Sequence, residues 1–97
     1  MVRLELIANR SVEEDFFDLL AGRGMADTAY TKVPVVFGSG RTGPRQGDHV
    51  WPEENFLLIM YCEEAIADRI TDMVRDLKKI FPNEGIKLFR VAVIKEC

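Results

Sequence analysis

Histidine and tryptophan each occur once in the 97 residues, and cysteine only twice. A protein metal centre draws on three or four donors, and His49 has no second histidine to join it. Cys62 and Cys97 stand too far apart for a C-x-x-C site, and a disulfide between them is not expected in a reducing cytosol. Basic charge is also short: the net charge of −3 argues against a general nucleic-acid binder, which needs a basic surface to displace counterions. No apolar run approaches the length that crosses a bilayer. The opening Met1-Val2-Arg3-Leu4-Glu5 alternates like a strand, whereas a signal peptide has a basic start and a solid apolar stretch. The expectation is a soluble cytoplasmic protein with no membrane insertion. No base and nucleophile stand at an interpretable spacing, and His49 has only adjacent Asp48 to orient it, so an enzyme is not expected. With no internal repeat or linker, residues 1–97 read as a single domain.

What is present is a clear order of elements. Val2, Leu4, Leu6 and Ala8 alternate along a first strand from Val2 to Asn9. Ser11 with Glu14 three residues later predicts a capping box at the start of a helix. Glu13, Glu14 and Asp15 suit the positive end of its dipole. Val12, Phe16, Leu19 and Leu20 form its buried stripe, and Gly22 or Gly24 its stop. A second strand is expected from about Asp27 to Phe37, with Pro34 confining it to an edge or a bend. A third runs from Asn55 to Cys62. A second helix spans about Glu63 to Phe81, with Ile66, Ile70, Met73, Val74 and Leu77 on one stripe. Ile86 to Ile94 reads as a fourth strand.

The order β-α-β-β-α-β, with right-handed crossovers, predicts an α+β ferredoxin-like sandwich with both helices on one face of the sheet. Strands one and three are then central, strands two and four edges. An RNA-recognition domain shares this topology, but strand four lacks its aromatic pattern and the charge balance is acidic. Strand three, Phe56-Leu57-Leu58-Ile59-Met60-Tyr61, is apolar on both alternations. Helices can cover only one face, and at ~25 cal/mol per Å2 three large side chains left in water forfeit several kcal/mol. A symmetric homo-oligomer with its sheets facing inward is the simplest cover.

Between strands two and three lies a glycine-rich segment, at about 38–54, long for a compact domain. It holds Gly38, Gly40, Gly43 and Gly47, with Arg41 and Arg45 on either side of Gly43. Gly38 and Gly40 suit positive φ and close approach to a ligand. Free amides there can cradle a phosphate, and Arg41 can pair with its oxygens in a fork. His49 reads as a polar residue at the sheet edge, and Trp51 either as a partner anchor or as an indole folded back onto the protein. Cys62 reads as a small core residue. His49 and Cys97 are the candidate donors should a soft metal be bound across an interface.

These features together resemble the PII-like signalling superfamily, which embraces the CutA-like proteins. Gly38-Ser39-Gly40-Arg41 followed by Gly47-Asp48-His49 resembles the start of the PII T-loop. Glu63 to Leu77 is similar to the family's second helix, and Glu84-Gly85-Ile86-Lys87-Leu88-Phe89 to its approach into strand four. The resemblance implies a homotrimer with sheets inward, and small effectors, typically adenine nucleotides such as ATP or ADP, in the clefts between subunits. It also implies a loop that changes shape with the ligand and docks onto a transporter, channel or metabolic enzyme. Gly38, Gly40, Arg41, Gly47, Lys87 and Arg90 are then the expected ligand-binding residues, and Arg45, His49 and Trp51 the partner-binding ones. A CutA-like metal-binding or metal-efflux-associated protein is the alternative.

Overall fold

A computed structural model describes residues 1–38 and 53–97. β1 (Val2–Asn9) is followed by a 3-10 turn, Arg10–Val12, and α1 (Glu13–Gly22). β2 (Thr31–Gly38), β3 (Glu53–Cys62), α2 (Glu64–Ile80) and β4 (Ile86–Ala92) complete the order. The sheet runs β2-β3-β1-β4 with every neighbouring pair antiparallel. β1 and β3 are therefore central, as the ferredoxin-like reading requires.

Alternation decides which side chains meet the helices. Val2, Leu4, Leu6 and Ala8 of β1 lie opposite Cys62, Met60, Leu58 and Phe56 of β3, and all but Cys62 are buried. Residues paired in register share a face, so these two strands line one side of the core. Phe16 and Leu20 of α1, with Ala67, Ile70, Met73, Val74 and Leu77 of α2, line the other. Among the described residues no polar or charged residue is buried; the core is wholly apolar.

Among the described residues no helix covers the other face of the sheet. That face presents Arg3, Glu5 and Ile7 of β1 against Tyr61, Ile59 and Leu57 of β3, and against Val91, Phe89 and Lys87 of β4. Tyr61, Phe89 and Val91 are exposed at 50%, 48% and 45%, the wet apolar surface that the composition of strand three foretells.

Four local details differ from the sequence reading. The capping box does not form: Ser11 Oγ donates to Glu84 at 2.5 Å, and Val12, at the N-cap of α1, makes no side-chain cap. The cap belongs to Asn9, whose Oδ1 accepts from Ser11 N at 2.9 Å and starts the 3-10 turn instead. β2 begins at Thr31, because the chain first turns at Met25–Thr28, where Thr28 N donates to Met25 O. β4 stops at Ala92, which pairs with Val2; β1 offers no further partner, so Val93 and Ile94 leave the sheet. α2 is one residue shorter at each end than expected. Pro34 sits in edge strand β2, and the register shifts between Val33 and Val36 around it, as a missing amide donor demands.

Both expected glycines take part in the end of α1. Gly22 is its last residue, and Gly24 has φ +77°. Gly24 N donates to Ala21 O and Met25 N to Leu20 O, a Schellman motif with buried Met25 packed in the same cluster as Leu20. Gly24→Ala is expected to cost about 1–2 kcal/mol through the left-handed backbone. Gly22→Ala, whose Cβ would meet nothing within 4 Å, is expected to be neutral or to stabilise by up to about 1 kcal/mol. Urea unfolding of the two variants checks both values.

Candidate functional site

The long segment leaves and re-enters the sheet at a single place, because Gly38 of β2 pairs with Glu53 of β3. β1 ends and β4 begins at the same end of the sheet, where Asn9 N donates to Gly85 O at 2.9 Å. Polar chemistry gathers here. Arg10 Nη1 lies 2.6 Å from Glu54 Oε1, tying the turn after β1 to the start of β3. The Ser11–Glu84 bond ties the same turn to the loop before β4. Both pairs are exposed, so each contributes modestly to stability while fixing where the strand ends sit.

On the open face at this end, Asn9 lies opposite Asn55 and Lys87 opposite Ile7. Lys87 is exposed on edge strand β4, with β1 and β3 between it and β2. Neither asparagine was a candidate from sequence. Their shared place depends on register between strands far apart in the chain, which spacing alone does not reveal.

Lys87 and Arg90, expected together, fall on opposite faces, because three residues along a strand reverse the side. Arg90 shares the helix side with Leu4. It donates to Asp68 at 2.7 Å and lies 3.8 Å from Glu64, both of α2. The hydrogen bond to Asp68, with the charges of Asp68 and Glu64, raises the guanidinium pKa above its ordinary value. Arg90 thus joins β4 to α2 and does not stand beside Lys87.

Gly38 also departs from the reading given to it. Its φ is not positive, and among the described residues a Cβ there would meet Asn55 Nδ2 at 3.4 Å, an ordinary contact. It is a strand residue, and the backbone freedom of glycine is not used at this position. Gly40, Arg41, Arg45, Gly47, His49 and Trp51 lie outside the described residues.

An open groove of about 440 Å3 lies in the helix layer, between Leu19 of α1 and Leu77, Ile80 and Phe81, with Asp15 and Asp18 at its rim. None of the sequence candidates lines it. Among the described residues no group of three histidine, cysteine or acidic side chains is placed to hold a metal, and no helix is long and apolar enough to cross a membrane.

No family model and no curated protein sequence matches the chain. Solved structures do. CPII from Thiomonas intermedia K12, bound to ADP, AMP and acetate, superposes with a TM-score of 0.65 at 20% identity, covering 93% of this chain and 82% of that one. The fold is that of the PII-like proteins. CPII bound to ADP, AMP and bicarbonate, described as a nitrogen regulatory PII-like protein, gives a TM-score of 0.62 at 18% identity over 99% of this chain and 94% of that one. A DUF3240 family protein from Shewanella baltica OS155 gives 0.61 at 15% identity over 99% and 92%. At such identities the agreement is one of backbone path, and the side chains of the site must be argued on their own.

The two thiols differ in surroundings. Cys62 is half-buried against the core, and burial raises its pKa, with the nearby Arg90 charge opposing. Cys97 is exposed. Only the thiolate is nucleophilic, so limited iodoacetamide at neutral pH is expected to label Cys97 well before Cys62, as read by peptide mass spectrometry.

Proposed function

We propose that this chain is a divergent PII-like regulatory protein, not an enzyme, working in the cytoplasm. Its copies assemble as a homotrimer through the open sheet face. A small anionic effector, an adenine nucleotide such as ATP or ADP, binds in the clefts between them. The segment at about 38–54 carries the signal to a transporter, channel or metabolic enzyme.

The observation that carries this reading is the fold shared with CPII, taken with two features of this chain. The glycine- and arginine-bearing segment starts and finishes at one end of the sheet. Lys87 stands on the open face of the same sheet, on the far edge strand β4, so a segment from a neighbouring copy is the one it would meet. The fold is one in which CPII holds ADP and AMP. A phosphate between subunits would find Lys87 from one copy's sheet and Arg41 with the amides of Gly40 and Gly47 from another's segment, all donors to an anion. Regulation follows if the effector favours one arrangement of the segment over another, since a ligand shifts an equilibrium only by its differential affinity.

Thermal unfolding in ADP, AMP and ATP tests the effector. A nucleotide present at 100 times its Kd adds about 2.7 kcal/mol, which raises Tm by several degrees. Lys87→Ala and Arg41→Ala are each expected to weaken calorimetric affinity by about ten-fold or more, the loss of one charge-assisted bond. Arg90→Ala, on the helix side, should leave affinity unchanged. Wild-type protein that takes none of the three nucleotides, or variants with wild-type affinity, would refute this assignment.

A further inference from the structure

The open sheet face is not uniformly apolar: at its centre, on β1, lie two opposite charges. Arg3 Nη2 is 2.7 Å from Glu5 Oε2. Arg3 Nη1 donates to the Tyr61 hydroxyl at 3.2 Å, and its guanidinium carbon lies 5.9 Å from the Tyr61 ring centroid. Arg3 Nε is sealed from solvent and has no acceptor, a state that costs free energy when nothing relieves it. Around the pair stand Ile7, Ile59, Phe89 and Val91, an apolar surround with no charge of its own.

A half-buried pair that stays about one-third open to water adds little to the stability of a single chain, so stability alone does not account for this placement. Recognition does. Arg3 and Glu5 are one pleat apart on the same face, roughly 7 Å along the strand. A face that offers one positive and one negative centre at such spacing is complementary to a second copy of itself once symmetry sets Arg3 against Glu5. The apolar surround would supply affinity in any orientation. The charges reject most of those orientations, since like charges would then be pressed together in a desolvated patch.

We propose that Arg3 and Glu5 are a self-recognition pair. In the assembled protein Arg3 of one copy donates through its terminal guanidinium nitrogens to Glu5 of the next, and Tyr61 holds the guanidinium in place. The pair sets the register in which copies meet. This rests on the open face being the interface between copies, and the test separates the two ideas.

Sedimentation and native mass spectrometry at micromolar concentration compare wild type with Arg3→Glu, Glu5→Arg, the double charge swap and an equimolar mixture of the two single variants. Wild type should form one oligomer. Each single variant should associate at least about a hundred-fold more weakly, and the double swap should restore assembly. In the mixture, species containing both variants should dominate over species containing one. That outcome requires pairing between chains, because the pair within each chain is broken in both. A wild-type monomer would remove the interface and the inference together. A wild-type oligomer whose single variants assemble unchanged, or mix without preference, would overturn the inference and leave the interface standing. If the charge variants do not fold, Arg3→Leu with Glu5→Leu decides the matter. It should associate into several sizes, and a single wild-type-like species would refute the role in register.

Discussion

Everything in this molecule follows from the way β1 and β3 divide their side chains between two faces. On one face Val2, Leu4, Leu6 and Ala8 meet Phe56, Leu58 and Met60, and both helices close over them. The sheet is four strands wide, and two helices suffice for one side only. The opposite face holds Ile7, Leu57, Ile59 and Tyr61 around Arg3 and Glu5, and no described element is left to cover it. Burial on the first side is what makes the fold; incompletion on the second gives it a reason to associate.

The same alternation governs the chemistry. A one-residue change of phase along β4 would carry Lys87 to the helices and Arg90 to the open face. As built, Arg90 serves packing through Asp68 and Glu64, whereas Lys87 stays exposed on the open face, across the sheet from the base of the segment on β2 and β3. Arg10 with Glu54 and Ser11 with Glu84 then hold the strand ends of that region in fixed relation.

Much of this was legible in the residues, because strand alternation and helix periodicity are local and strong. The element order, the edge position of β2 inferred from Pro34, and the stripe Ile70, Met73, Val74 and Leu77 needed no knowledge of contacts. What escaped was decided by partners distant in sequence. Ser11 and Glu14 have the spacing of a capping box, but Glu84 competes for the hydroxyl and Asn9 takes over the cap. The length of β4 was set by where β1 begins, and the opposition of Lys87 and Arg90 by pleat and register. Asn9, Asn55 and the Arg3–Glu5–Tyr61 cluster emerge only when strands are laid side by side.

The irregularity at Pro34 has a consequence for what cannot grow from this protein. Sheets with two regular margins can add strands from neighbours without limit, the route to fibres. Here β2 carries Pro34 and is irregular between Val33 and Val36 where it pairs with β3, so an incoming strand finds a distorted template. Only the β4 margin is regular. A stray chain docking there would find no matching rim on which to repeat the addition, and polymerisation would end after one step.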